Sequence, residues 1–411
     1  MRIGIDIREL LGRPTGVGRY VRHLLGEWAT AARDGKFPHQ IVLYSPAECP
    51  PDAAAVVAPL EPDIRVIPGS SGTWWEQVQL PSVARRDRLD VFFAPAYTSP
   101  LRLPCPVVQT IHDLSFLAHP EWFPVRERIR RSWLTRRSAR RARIVLTDSR
   151  FSANEIRDRL AIPDERIRVI PLGLTTPGQR TTTPGAVVSP QGTDAKISSG
   201  VIVTSPQETL VKLSPGVIVT PREAAWPTFS ERQPTVLYVG SVFNRRRVPD
   251  LIRAFAQVVT AVPDARLEIV GENRTHPTED LAALSRTLNI ADRVVIRAYV
   301  SDNELAGLYR SARAFAFLSE YEGFGLTPLE ALSCGIPIVV LDTPVARETC
   351  GSAACYVKAG DTLAVATQLA RLLTDPAAHR EALAPAADVL ARYRWPEAAR
   401  ATLDALEAAG R

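Results

Sequence analysis

The chain has 411 residues, long for one α/β domain and comfortable for two. Its 45% hydrophobic and 23% charged residues describe a globular protein, and no apolar run is long enough to span a bilayer. A net charge of +6, carried by arginine far more than lysine, suits phosphate, nucleic acid or an anionic membrane face and selects none of them.

In chain order, Met1-Arg2 runs directly into Ile3-Gly4-Ile5-Asp6-Ile7, an alternating buried strand and no signal peptide, so a cytosolic chain is expected. Thr15-Gly16-Val17-Gly18-Arg19-Tyr20 then opens a helix through Val21 to Leu25. Its glycines let backbone approach a pyrophosphate, while Asp6 and Arg8 are suited to bracing the loop. Further strands are predicted at Ile41–Tyr44, Val91–Ala94, Val107–Ile111 and Arg143–Thr147. His112-Asp113 stands at the end of one of them, and both a structural and a functional role are open to this histidine. Pro124 to Arg143 reads as a helix that places nine arginines among Val125, Ile129, Trp133 and Leu134. The apolar stripe is expected to pack on the domain's own sheet. The arginines leave two readings: a solvated basic face, or salt-sensitive peripheral contact with an anionic bilayer. Ser149-Arg150-Phe151-Ser152 follows the next strand and leads into a helix ending near Leu160.

From about Pro177 to Ser230 the composition shifts to Thr, Ser, Pro and Gly, and a Gly-apolar unit recurs three times, at Gly185, Gly200 and Gly216. An expanded interdomain linker and a small β-insertion are the two readings. Alternation then resumes: strands at Thr235–Gly240, Arg266–Gly271, Val294–Ile296, Ala314–Phe317 and Ile338–Val340, with a helix from Asp250 to Val259. Strand and helix in alternation imply a second parallel, doubly wound sheet. Trp395 to Arg411 is a last helical stretch. The five cysteines form no CxxC pair, and the six histidines are scattered, so neither a disulfide framework nor a metal site is expected.

Two passages in the second half carry chemistry. In Ser319-Glu320-Tyr321-Glu322-Gly323-Phe324-Gly325-Leu326-Thr327-Pro328-Leu329-Glu330 a strand ends in a glycine loop, and a helix opens near Thr327 or Pro328. Its N-terminus is an anion site, flanked by two carboxylates at the carboxyl end of a parallel strand. In Gly240-Ser241-Val242-Phe243-Asn244-Arg245-Arg246-Arg247 a strand turns at glycine into three adjacent arginines, whose planar forks fit phosphate oxygens.

The first passage, with its two glutamates separated by seven residues, its EGFG turn and its Ser333-Cys334-Gly335-Ile336-Pro337 ending, resembles the motif of glycosyltransferase family 4. The resemblance covers nearly the whole chain outside the repeat segment. It implies an α/β fold of the GT-B type, two facing Rossmann-like doubly wound domains with a deep cleft between them. Residues 1–176 would form the acceptor domain, 177–230 the linker or insertion, and 231–395 the nucleotide-sugar domain, with 396–411 returning onto the first. It implies that Glu322 faces the donor sugar and Glu330 the ribose. Gly323, Phe324, Gly325 and Leu326 would line the donor site. Arg245 and Arg246 would hold the diphosphate beside Gly240 and Ser241, with Gly16 and Gly18 meeting it from the other side. Arg246 stands where the family usually has lysine, and Ser241 where many members have arginine. His112 would approach the transferred sugar, with Glu322 and Arg246 completing the catalytic set. Asp113, Ser149 and Arg150 would lie toward the acceptor. Glu348 occupies a loop position that the resemblance marks without a role.

The expected activity is a retaining, metal-independent transfer of a hexose from GDP-mannose or a UDP-hexose to a glycan or lipid-linked acceptor, in envelope or exopolysaccharide synthesis. No DxD motif is present, so arginines would neutralise the leaving diphosphate, and no cofactor or nucleic acid is expected. Glu322 is either nucleophile or electrostatic stabiliser. A nucleotide-sugar epimerase of the same architecture and a catalytically silent nucleotide- or glycan-binding module are the alternatives.

Overall fold

The computed structural model describes residues 1–12, 16–69, 72–178 and 226–411. Thr15 and the repeats beginning at Gly185, Gly200 and Gly216 lie outside the described residues. Two parallel sheets organise the chain. The first is formed by β1 (Arg2–Asp6), β2 (Gln40–Ser45), β3 (Asp63–Val66), β4 (Val91–Ala94), β5 (Val107–Thr110), β6 (Ile144–Thr147) and β7 (Ile167–Val169), in the order β3-β2-β1-β4-β5-β6-β7. The second has β8 (Thr235–Val239), β9 (Arg266–Val270), β10 (Val294–Arg297), β11 (Ala314–Phe317), β12 (Ile338–Leu341) and β13 (Ala354–Val357), in the order β10-β9-β8-β11-β12-β13. The strand order reverses direction between β1 and β4, and again between β8 and β11. Crevices open at such switch points beyond the carboxyl ends of the strands.

The central strands are apolar from end to end because helices cover both faces. All four residues of β4, β6, β11 and β12 are buried. The edges are different, and this is why β3, β7 and β13 escaped the sequence reading. In β3 the solvent-facing set includes Ile64 and Val66, and β7 has three residues of which only Ile167 is buried. β3 and β7 alternate over only four and three residues, and β13 is an apolar run of four, so none of them stands out from the surrounding chain.

Arg232 ties the second domain together. Its guanidinium is buried and donates to the carbonyls of Tyr309, Ala312 and Cys334 at 3.1, 2.8 and 2.6 Å. Burial pushes its pKa down to about 10. The Cys334 bond closes the end of the Leu326–Ser333 helix, which carries Glu330.

The Trp395–Gly410 helix lies on the first domain, against the Gly16–Arg33 helix and strands β4, β5 and β6. The Trp28 indole donates to Ala399 O at 3.0 Å, His23 stacks on Trp395 at 4.3 Å, and His39 meets Glu407 at 3.1 Å.

The Val125–Arg141 helix corrects one expectation. Its buried face is Leu134, Thr135, Ser138 and Ala139, whereas Val125, Ile129 and Trp133 are 59%, 60% and 53% exposed. Small residues let this helix sit close to its neighbours on that side. Of the apolar residues expected to cover the sheet, Leu134 is buried, whereas Val125, Ile129 and Trp133 point away from it.

Candidate active site

The loops after β8 and β11 form one wall of the cleft. Because these strands are neighbours, the two sequence passages meet. Arg246 Nε donates to Glu322 Oε1 at 2.8 Å and Nη2 to Oε2 at 3.4 Å, while Ser319 Oγ donates to Oε1 at 2.8 Å. Arg246 Nη1 also donates to Ser241 O at 2.9 Å, and the guanidinium lies 5.0 Å from the Phe317 ring centre. Burial alone would raise the Glu322 carboxyl. The positive charges of Arg246 and Arg245 outweigh it and hold the carboxyl below its ordinary value. Burial likewise opposes the Arg246 cation, and the Glu322 carboxylate more than compensates.

The three adjacent arginines have three different fates. Arg247 is neutralised by Asp250 at 2.6 Å and Glu320 at 2.5 Å. Arg246 is paired with Glu322. Arg245 lies 4.4 Å from the Phe243 ring centre, its buried Nε has no hydrogen-bond partner, and no carboxylate pairs with it among the described residues. An unneutralised guanidinium beside a paired one is the arrangement a dianionic ligand can use.

Next to it, Gly325 caps the Leu326–Ser333 helix at φ 87°, a conformation that favours glycine, and no side chain caps this end. The first-turn N–H groups are left for an anion. Phe324 is buried against Tyr393 at 5.3 Å, so it supports the loop from behind. Glu330 is buried in the same helix. Its Oε2 accepts from Tyr309 at 3.3 Å, and its Oε1 lies 3.5 Å from Arg19 Nη1. Burial raises this carboxyl, and Arg19 and Tyr309 only partly offset it. Arg19 belongs to the first turn of the Gly16–Arg33 helix, together with Gly16 and Gly18, so the Arg19–Glu330 pair spans the cleft. Asp6 and Arg8 pair with each other at 2.6 Å, and Arg8 also with Glu76 at 3.2 Å.

On the first-domain wall His112 follows β5. Its Nδ1 is 2.7 Å from Asp148 Oδ2 and its Nε2 is 3.0 Å from Pro95 O. Burial alone would lower the imidazole; Asp148 and the Pro95 carbonyl reverse this and raise it. Both ring nitrogens are engaged, so the ring is held as a bracket between β4 and β6. Asp113 accepts from Ser115 N at 2.9 Å and from Tyr97 OH at 3.2 Å, which makes it a local turn cap. Ser149 and Arg150 bind the second domain: Ser149 Oγ donates to Gly323 O at 2.6 Å, and Arg150 N donates to Glu348 Oε1 at 2.7 Å. Glu348 lies on the Pro344–Cys350 helix and not in a loop. Asp148, Ser319, Tyr309 and Tyr321 were not singled out from the sequence. The first two stand within two residues of the ends of parallel strands, as His112 does.

Two Rossmann-like domains facing across a cleft, with an ion-paired glutamate, an open arginine and an uncapped helix N-terminus at the carboxyl ends of the strands, define the GT-B class of glycosyltransferases. Residues 14–176 match the model of Glycosyltransferase Family 4, and residues 221–389 that of Glycosyl transferases group 1. The chain belongs to this family, its first half a family 4 domain and its second a group 1 domain. It is 26% identical over 324 residues to O-antigen chain mannosyltransferase B of Escherichia coli, covering 78% of this chain and 75% of that one. It is 33% identical over 153 residues to N-acetyl-alpha-D-glucosaminyl L-malate synthase of Bacillus anthracis, covering 37% of this chain and 39% of the relative's length. The fold superposes on Anabaena HepE, solved with UDP and glucose, with a TM-score of 0.66 at 18% identity, covering 99% of this chain and 100% of that one.

Among the described residues no group of His, Cys, Asp and Glu is clustered for a metal ion, and no helix is long and apolar enough to cross a membrane.

Proposed function

We propose that the protein is a retaining hexosyltransferase, moving a hexose from a GDP-mannose or UDP-hexose donor to a glycan or lipid-linked acceptor, with no metal ion in the step. The observation that carries this reading is the Glu322–Arg246 pair beside the unneutralised Arg245 and the open helix N-terminus at Gly325. The names of the O-antigen mannosyltransferase and of the UDP- and glucose-bound HepE support the substrate class.

In the reaction the C1–O bond to the diphosphate breaks, and its electron pair stays on the β-phosphate oxygen. Arg245, Arg246 and the helix N–H groups stabilise that charge, each such donor worth roughly 3–4 kcal/mol. The sugar becomes oxocarbenium-like. Glu322, held ionised by Arg246, is a carboxylate ready to stabilise that cation or to attack it, and not a proton donor. The acceptor hydroxyl attacks from the face the diphosphate leaves, and a phosphate oxygen takes its proton. Glu330, next to Arg19, is the ribose ligand of this reading.

The work site is the cytoplasmic face of the cytoplasmic membrane, reached through the exposed Val125, Ile129 and Trp133 with their arginines. Trp74, 67% exposed, adjoins them through the bond between Arg130 and Thr73 at 2.6 Å.

A panel of nucleotide sugars, measured first for binding and then for turnover in excess EDTA, tests the proposal. Transfer that persists under chelation is expected. Isomerised nucleotide sugar released without an acceptor would identify an epimerase, binding without turnover would identify a silent module, and activity lost on chelation and restored by a divalent ion would remove the arginine mechanism.

A further inference from the structure

The loop that carries Glu322 belongs to the second domain, yet the residues on either side of Glu322 are bound to the first. Tyr321 is 5% exposed. Its hydroxyl accepts from Leu114 N at 3.3 Å and donates to Glu155 Oε2 at 3.4 Å. Its ring faces those of Phe151 and His119 at 5.4 and 5.5 Å. Gly323 O accepts from Ser149 Oγ at 2.6 Å and Ser152 Oγ at 3.2 Å. The Gly323 backbone is pressed so close to His112 that a Cβ there would stand 1.9 Å from the His112 carbonyl oxygen, so only glycine fits. Between these two pinned residues, the Glu322 side chain alone turns back to Arg246.

A third contact stands beside them. The Glu348 carboxylate, from the second domain, accepts from Arg150 N at 2.7 Å and Phe151 N at 3.0 Å, covering the N-terminus of the Arg150–Leu160 helix of the first. These amides are the orphan donors that any helix start must satisfy, and here the partner comes from across the cleft.

We infer that this loop is the fastener between the two domains, and that Tyr321 is the positioning residue that sets Glu322 when they meet; the catalytic part rests on the reading of Glu322 as the sugar-facing carboxylate. Separation of the domains at this edge unpins residues 321 and 323 together, and with them the backbone of Glu322. Docking restores all three contacts. Closing the cleft and placing the carboxylate opposite the His112 wall are then one event, driven by the same hydrogen bonds.

Amide exchange on the full chain reads the fastener directly, because Leu114, Arg150 and Phe151 N–H groups each donate to an acceptor on the other domain. In Tyr321→Ala, exchange at Arg150 and Phe151 is expected to accelerate roughly tenfold although Glu348 is untouched; in Glu348→Ala, Leu114 is expected to accelerate likewise. Unchanged exchange at the untouched contact in both variants overturns the inference.

Tyr321→Phe keeps the ring and loses the hydroxyl. Its kcat should fall about five- to tenfold, while its KM for UDP-glucose or GDP-mannose stays within about twofold, since the proposed base, ribose and phosphate contacts are elsewhere. A normal kcat, or a loss confined to donor KM, overturns the positioning role. If the unmodified chain neither binds UDP or GDP nor transfers sugar, the functional reading fails while the exchange result still judges the fastener.

Discussion

Glu322 keeps its charge in a buried place because Arg246 stands 2.8 Å away, and each residue is costly to remove alone. Glu322→Ala and Arg246→Ala are each expected to lower kcat/KM by about 10²–10³ with the fold retained, the range seen when one preorganised charge is taken from a transition state. Circular dichroism and a thermal melt check folding, and near-normal turnover in either folded variant removes that residue from its role. His112 makes a prediction of the opposite chemical sense. A neutral imidazole has one N–H for two acceptors, Asp148 and Pro95 O, whereas the imidazolium satisfies both. Its folded pKa is raised, so its stabilising contribution is complete below about 6.5, the unfolded value, and is lost as pH rises through the higher folded value. Urea midpoints measured from pH 6 upward should therefore decline more steeply for the unmodified chain than for His112→Gln. Parallel profiles would show that the ring is not held as a cation.

The Val125–Arg141 helix shows what the arrangement of an element adds to its composition. Of the arginines from 126 to 143, only Arg131 pairs with a carboxylate among the described residues, with Glu127 at 3.0 Å. Arg137 lies 5.3 Å from the exposed Trp133 ring centre. Unneutralised arginines around exposed Val125, Ile129, Trp133 and Trp74 match an anionic bilayer in both charge and polarity. Near such a surface each arginine is worth about 1 kcal/mol. Sedimentation with phosphatidylglycerol-containing vesicles at low salt should pull the protein down, and high salt should weaken but not abolish this, because the apolar part is unscreened. Ile129→Ser with Trp133→Ser should reduce the salt-resistant fraction, and converting four of the arginines to glutamine should reduce the salt-sensitive one. No low-salt binding, or binding indifferent to both changes, would leave this surface a solvated face.

At the scale of the molecule, the chain end completes the first domain. Trp395, Ala398, Ala399, Thr402, Ala405, Leu406 and Ala409 of the last helix are buried. Without them Trp28 loses the Ala399 carbonyl, and His23 loses its stacking partner. Burying a large apolar side chain contributes about 1.5–3 kcal/mol, so losing Trp395 and Leu406 alone consumes a large fraction of ordinary domain stability. Ending the chain at Arg394 is expected to give aggregation or a melting temperature at least several degrees lower. A truncated chain melting like the full one would show that the helix only rests on the domain.

The parallel-sheet architecture and most of the second-domain wall of the cleft were legible in the sequence, since both are written in local order. Buried parallel strands are continuous apolar runs, and a glycine loop opening a helix is a contiguous string, so Gly240–Arg247 and Ser319–Glu330 announced themselves. The strands β3, β7 and β13 did not, because an alternation or an apolar run of three or four residues is too short to stand out. Which of three adjacent arginines faces Glu322, which is neutralised by Asp250 and Glu320, and which is left open depends on side-chain direction across neighbouring strands. The same holds for the apolar face of the Val125–Arg141 helix, whose periodicity is equal whether it points to the sheet or to solvent. His112, Asp113, Ser149 and Arg150 were recognised by place after parallel strands. Asp113 has its partner Ser115 two residues away, a local turn, but Asp148 and Pro95 were decided by how strands of one sheet lie side by side, and Gly323 and Glu348 by how two domains meet, over as many as 198 positions.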